Sequence, residues 1–564
     1  MNVNQTVIQT PSPKVVIKRL KITNATKTKT DYDEITKIAI EIIDKAKVGL
    51  LIGKPARIEW LAKKYPGVSY KDVQEKINSV NGDKTKFEKQ ALPEEPIYGT
   101  DVDSQITFSL TGDTSLQSYQ FSLSKNDVNG SFSLTFFPDK IGEQTLFDKI
   151  QILDIVEIYE NRIENGSSLL RAFNPSRRKN SPVFIGIVKS KKYVAQVTDG
   201  GIVRRLQVSG ISAAGLVSQF YLNLDSTAMI LTKQIKETTN LRTKLTAEIA
   251  GEDKPIKDVI TKVWDFFCEL AKTNGTVAIK TLIDGTNISG IFDCDNSPIY
   301  YPFANLALGE QTQDFYSLIG GLTPEPIYER FATMDYDSGK MKIVIRQVPF
   351  RDDGAADVYQ NSKGKSVNWN GVFNRDLRSN EVKSIDLTVS DKEVYTVFFS
   401  YLNGYPIEND KLMKLIALED EKGNPMLTFD DKKYQTYGYR PLIATFNGYD
   451  KSKKSNDKET ESNLAKINKN MREWFGNLDR MMSGSITLAM TYNDDKPIMP
   501  GEVVGFLGGQ FYVEGISHSW NYGQGGDINL SVSRGGDYDK GGKFHPFSGI
   551  SEKINLLENR KEKA

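Results

Sequence analysis

At 564 residues, with 39% hydrophobic and 26% charged residues and a net charge of +1, the chain is too long for one core, because single cores rarely grow beyond roughly 250–300 residues. The near-neutral balance excludes a general polyanion binder. The first 95 residues, with 18 Lys+Arg against 12 Asp+Glu, carry only a mild basic excess. Cys268 and Cys294 are the only cysteines, which excludes a disulfide framework, predicts folding in a reducing compartment, and leaves both thiols as small buried hydrophobes.

No apolar run reaches the length of about 18 residues that a membrane-crossing helix needs. The start, MNVNQTVIQTPSPK, has neither a basic leader nor an apolar signal core, so Sec export is not expected. Residues 1–30 are polar, with Pro11 and Pro13, and read as an extended arm. Residues 31–90 read as a small helical domain. Ile35, Ile38, Ala39, Ile42 and Ala46 share one helical face. A second helix carries Ile58, Leu61, Ala62 and Tyr65, and a third enters at Ser69-x-x-Asp72 and stops at Asn81-Gly82. These helices invite a helix-turn-helix reading, but no basic recognition face stands out, and a helical adaptor packed on its own core is the expectation. Lys84–Thr100, with Pro93 and Pro96, reads as a linker.

Residues 100–225 form the first of two similar units. YQFSLS (Tyr119–Ser124) and SFSLTF (Ser131–Phe136) predict a hairpin with cross-strand pairs. Ile150–Glu160 and Val183–Val188 are β-rich, and Asp199-Gly200-Gly201 is a tight turn into the period-two run Ile202, Arg204, Leu206, Val208. Short strands joined by tight turns suit a small closed barrel, which removes exposed edges.

Residues 226–380 read as a mixed α/β region. A helix is expected at Pro255–Asn274, and a hairpin at Ile327–Met334 and Met341–Val348 across Asp335–Gly339. Residues 381–483 supply strands at Val382–Val389 and Val394–Tyr401, a polar loop at Lys451–Thr460, and a long helix over Glu461–Met482. In that helix Leu464, Ile467, Met471, Trp474, Leu478 and Met481 fit either a partner chain or the protein's own core. Residues 484–535 form the second barrel-like unit, with alternation in Ser485–Tyr492, a strand at Gln510–Trp520 kinked at Gly515, and a strand at Ile528–Val532. Residues 536–564 read as a tail with a short helix candidate at Ile554–Leu557. The fold class expected is α+β, mainly β, with two small β-barrel-like domains, intervening mixed segments and an N-terminal helical extension.

Chemistry is sparse. A Ser-His-Asp or Cys-His site would need His518 or His545. His518 lies in a strand pattern beside Trp520, where a hydrogen-bonded structural histidine is expected, and His545 falls in a glycine-rich stretch facing solvent. Nothing resembles C-x2-C, H-E-x-x-H, G-x-x-x-x-G-K-[ST] or G-x-G-x-x-G. Carboxylates are plentiful, which leaves a glycosidase formally open, yet no pair is singled out by its surroundings. No catalytic, cofactor-binding or metal-ligating residue is predicted, and the chain is not expected to be an enzyme.

The order of several stretches over roughly residues 100–540 resembles the central baseplate hub proteins of contractile phage tails and related injection systems. These stretches are Asp154–Tyr159 followed by Pro182–Gly186, then Ile345-Arg346-x-x-Pro349-Phe350, Gly438–Leu442, Trp474 to Gly484, and Pro500-Gly501-Glu502. Phe511–Trp520 with Arg534-Gly535 closes the set. The first ~95 and last ~25 residues depart from the family pattern. The resemblance implies a homotrimer in which two barrels per chain give pseudo-sixfold symmetry, adapting a hexameric tail tube to a trimeric central spike. It implies as partners the tube ring, the spike, the tape measure protein and other baseplate proteins, with DNA only in transit, no cofactor and no membrane contact. The implied location is the virion tail baseplate, after synthesis in a bacterial host's cytoplasm. The alternatives are the head of a type VI secretion-like or other injection-system spike, a tail-tip hub of a non-contractile phage, and a tail-associated cell-wall hydrolase.

Overall fold

A computed structural model of the chain describes residues between 12 and 546 with interruptions, the longest being 162–180, 224–253, 275–287, 349–372, 403–427 and 451–466. The expectations on residues 1–11, Lys451–Thr460, Cys294, Pro349-Phe350 and Ile554–Leu557 lie outside the described residues. The chain divides into two compact units, one built mainly from Lys21–Thr100 and the other from most of the rest.

The smaller unit holds three helices, α1 (Glu34–Lys47), α2 (Lys54–Lys64) and α3 (Tyr70–Ser79). Helix α1 starts later than Asp31 because Asp33 is its cap, its carboxylate accepting from the Thr36 N–H at 2.7 Å. Ile38, Ile42, Leu61, Val73 and Ile77 close a separate core, as their helical spacing predicts. The expected linker at 84–100 instead contributes short strands. Gln90–Ala91 pairs with Thr30–Asp31, and Glu95–Ile97 with Ala25–Lys27, so the unit begins and ends side by side.

The larger unit is built on a 14-stranded sheet. Its main strands are β1 (Ser12–Leu20), β2 (Val102–Ser109), β3 (Leu116–Ser124), β4 (Asp127–Phe136), β5 (Ile155–Asn161), β6 (Phe184–Thr198) and β7 (Gly201–Ser212). After the middle region come β8 (Tyr328–Asp335), β9 (Lys340–Gln347), β10 (Val382–Thr388), β11 (Met482–Ala489), β12 (Val503–Phe506), β13 (Gly509–Asn521) and β14 (Gly525–Tyr538). The order across the sheet is β10-β11-β14-β13-β3-β4-β7-β6-β5-β1-β2, with β12 beside β13 and Phe373–Asp376 beside β12. Strands β8 and β9 pair antiparallel in a separate small sheet, where β9 also runs parallel to Ile288–Asp293.

Two expectations change. Ser12–Leu20, read as part of an extended arm, is a strand inside the sheet between β5 and β2. Its Val15, Val16 and Ile17 are all buried, so both faces of this strand meet core. The two modules also do not close as separate barrels among the described residues. The edge that the first module offers, β3, is taken up by β13 of the second over Ser118–Ser124 and Gly515–Asn521. Pairing across the modules removes an edge as effectively as closure does.

Within each module the local readings hold. The β3/β4 register places Phe121 opposite Phe132 and Tyr119 opposite Leu134, and the register slips between Val513 and Gly515, a bulge where glycine interrupts the strand. The expected helix at Glu461–Met482 is shorter. The α-helix ends at Phe475, a 3-10 turn follows over Leu478–Arg480, and Met482 opens β11. Ile467, Met471 and Trp474 are buried in the core of their own unit, which decides between own core and partner chain for this stretch.

Candidate functional site

The most concentrated polar chemistry among the described residues lies where the two modules meet the β8/β9 hairpin. Glu329 on β8 is 1% exposed at its side chain. It accepts from the Arg346 Nε at 2.6 Å and from the Tyr512 hydroxyl at 2.7 Å, and it lies 3.2 Å from Lys125 Nζ. Lys125 sits in the β3–β4 turn, Arg346 on β9 and Tyr512 on β13, so one carboxylate ties three stretches of chain together. Lys125 also lies 3.4 Å from Glu514 and 4.9 Å from the centroid of the Tyr512 ring.

Arg346 donates a further hydrogen bond to the Gly501 carbonyl at 2.7 Å. A side chain at Gly501 would start 2.4 Å from Phe331 Cζ and 2.8 Å from Arg346 Nη2, and its backbone stands at φ +80°. Glycine is therefore required twice over, for the left-handed turn and for the approach of the guanidinium.

Burial alone would push the Glu329 carboxyl up. The charges of Arg346 and Lys125 and the Tyr512 hydrogen bond outweigh it and hold the group below the usual carboxylate range. Burial likewise opposes the charges on Arg346 and Lys125, yet the neighbouring Glu329 and Tyr512 raise both above their ordinary values. Burial first, and then Glu329, raise Tyr512. The cluster is a fixed ion network with its charges locked on. A general acid or base needs the opposite, a group poised to exchange a proton near neutral pH.

The far end of the seam is simpler. His518 on β13, 1% exposed, meets Glu160 on β5 through Nδ1 at 2.7 Å. Tyr119 donates to the same carboxylate oxygen at 3.2 Å. The imidazole stacks on Phe121 with centroids 4.5 Å apart, and its Nε2 meets no hydrogen-bond partner among the described residues. This is the hydrogen-bonded histidine expected from the strand pattern. Among the described residues no group of three or more His, Cys, Asp or Glu could hold a metal ion. His545 falls in the short strand Phe544–His545 against β14, exposed as expected, and Cys268 is half-buried against the core.

A third anchor is Arg534 on β14. Its guanidinium lies 4.1 Å from the Trp474 ring centroid and 4.9 Å from that of Phe475 and donates to the Trp474 carbonyl. Of these groups, sequence reasoning singled out Arg346, His518, Trp474 and Arg534. It missed Lys125, Glu329, Tyr512 and Glu160. No sequence signal sets Glu329 apart, because its strand Ile327–Met334 also carries Tyr328, Arg330 and Thr333; only its burial shows that the carboxylate must meet cations.

No family model and no curated protein matches the chain. Among solved structures it is similar to the 43 kDa tail protein of prophage MuSo2 from Shewanella oneidensis, at 13% identity and a TM-score of 0.39, over 76% of this chain and 94% of that one. It is similar to a tail protein from Neisseria meningitidis at 11% identity and a TM-score of 0.39, over 75% and 94%. It is also similar to an E. coli component of the type VI secretion system at 9% identity and a TM-score of 0.32, over 77% and 76%.

Proposed function

We propose that the chain is a structural ring component of a phage tail or related injection machine, and specifically its baseplate hub. In this reading three copies present six β-modules around a bore, adapting a sixfold tube to a threefold spike. A closed threefold ring that mimics sixfold symmetry needs two pseudo-equivalent surfaces per chain held at fixed spacing. The observation that carries the reading is the seam. Each module is centred on a long hairpin, β6/β7 in the first and β13/β14 in the second. The two are fused through β3 and β13 and riveted by the buried Glu329 network. Such a seam suits transmission of mechanical load better than chemistry, because its charged groups are fully engaged with one another. The chain is read as a non-enzyme whose neighbours are the tube ring, the spike, the tape measure protein and other baseplate proteins, with DNA passing through the bore.

Negative-stain electron microscopy of the purified chain, alone and mixed with its spike and tube neighbours, tests the proposal. Rings with three copies and six peripheral masses are expected. Particles that remain single chains in every mixture would sink the reading.

A further inference from the structure

The loop Val48–Gly53 joins α1 to α2, and its aliphatic side chains are divided between two destinations. Leu51 is buried and closes the core of the helical unit. Val48, Leu50 and Ile52 stand in solvent instead, 70%, 67% and 72% exposed. Between them Gly49 turns the chain at φ +78°, and a Cβ there would meet no atom within 4 Å. Ile58, on α2 and also exposed, adds a fourth aliphatic. The core of the unit is complete without these groups, and an aliphatic cluster left in water marks a surface that meets something apolar. The loop also has a definite place. The unit's chain enters through Ala25–Lys27 and Thr30–Asp31 and leaves through their partners Gln90–Ala91 and Glu95–Ile97. Helix α1 starts just after Asp31, and its 14 residues carry the chain about 20 Å from that paired neck. The aliphatic loop is at the far end of α1.

Charge and composition indicate what it meets. From Lys47 to Ile58 the chain carries Lys47, Lys54 and Arg57 and no carboxylate, and both lysines are exposed. Of the acids nearby, Asp44 is bound by Lys84 at 2.6 Å, and Asp83 accepts from the Thr85 N–H and hydroxyl. Glu59, the residue after Ile58, is exposed and leaves the loop with a cationic excess. Protein-binding patches favour tyrosine, tryptophan and arginine and are depleted in lysine. This loop offers aliphatic groups flanked by lysines. That composition suits a bilayer surface, where apolar side chains enter the acyl boundary and lysine ammonium groups stay among the lipid phosphates.

We propose that the Val48–Gly53 loop seats in the surface of an anionic lipid bilayer, with Val48, Leu50 and Ile52 entering below the headgroups and Lys47 and Lys54 meeting their phosphates. The contact is peripheral and needs no membrane-crossing helix; among the described residues no helix is long and apolar enough to be one. It belongs to the first ~95 residues, the part of the chain that departs from the hub pattern, and it does not rest on the ring reading.

The test is flotation of the full chain with vesicles of phosphatidylcholine alone and of phosphatidylcholine mixed with phosphatidylglycerol. The chain should rise with the mixed vesicles. Leu50→Ser with Ile52→Ser should weaken that binding ~tenfold or more, and Lys47→Glu with Lys54→Glu should weaken it toward the level on phosphatidylcholine alone. All four sites are exposed, Leu51 is left in place, and circular dichroism confirms that each variant folds. A chain that floats with neither kind of vesicle overturns the proposal. Binding that the double serine variant leaves unchanged overturns it too, because adsorption would then run through charges elsewhere. If that variant alters only self-association in sedimentation velocity, the loop meets another copy of the chain and the assignment falls. None of these outcomes bears on whether rings are seen by microscopy.

Discussion

The seam and the helical unit use the same pairing, carboxylate with cation, in opposite surroundings. In the seam Glu329 is sealed from water, with Arg346 and Lys125 largely buried around it. In the helical unit the pairs Glu41–Lys64, Asp44–Lys84 and Asp33–Lys76 lie on the surface above an apolar core. A surface pair is screened and adds little, whereas breaking a buried pair strands a charge in low dielectric. The lesson is that the seam is specified by its polar groups and the helical unit by its aliphatic ones, although a bare count of salt bridges would rank them alike.

The sharpest way to break this comparison is Arg346→Ala, which leaves Glu329 with Lys125 as its remaining cation. It should lower the stability of the larger unit by about 3–5 kcal/mol, read by urea unfolding followed through tryptophan fluorescence. A loss below 1 kcal/mol would mean that the seam tolerates a stranded carboxylate and is not the rivet described. Tyr512→Phe removes a single hydroxyl donor and should cost about 1–3 kcal/mol in the same assay.

Acid should sharpen the contrast further. The folded value of Glu329 is depressed, so its contribution is present above the unfolded value of about 4.3 and is lost as pH falls through the lower folded value. Thermal melts of the larger unit should therefore be flat from neutral pH to about pH 5 and decline below about pH 4. Glu329→Gln should show a lower plateau and a weaker acid slope. Asp33→Ala removes the cap of α1 and should cost the helical unit about 1 kcal/mol, visible in its far-ultraviolet signal with the seam unaffected. The smallest effect belongs to Lys64→Ala. It breaks an exposed pair, should leave the unfolding midpoint essentially where it was, and should do so the more completely as salt is raised.

Much of the local structure was legible in the chain. Alternation located both long hairpins, Gly515 marked its bulge, and Pro255–Asn274 marked its helix, which runs over Ile256–Asn274. What was not legible is long-range. Nothing in Tyr119–Ser124 announces that it pairs with a strand near the far end of the sequence, where Gln120 lies opposite Ser519, because a strand's edge carries the same backbone donors whichever partner arrives. For the same reason Ser12–Leu20 looked like an arm, its pairing partners being separated from it by the whole helical unit. Arg346 stood out through the family resemblance, but its counter-ion Glu329 is one acid among 72 Asp+Glu, distinguished only once burial is known.

The placement of the helical unit has a practical corollary. It is spliced into what is otherwise a plain two-stranded turn, since β1 ends at Leu20, directly across the ladder from Val102 where β2 begins. Neighbouring strands lie about 5 Å apart, so the gap left by excising residues 21–101 can be bridged by a short glycine-containing loop without disturbing either strand. The same junction can then accept a foreign domain whose two termini lie close together, making it a graft point on the scaffold.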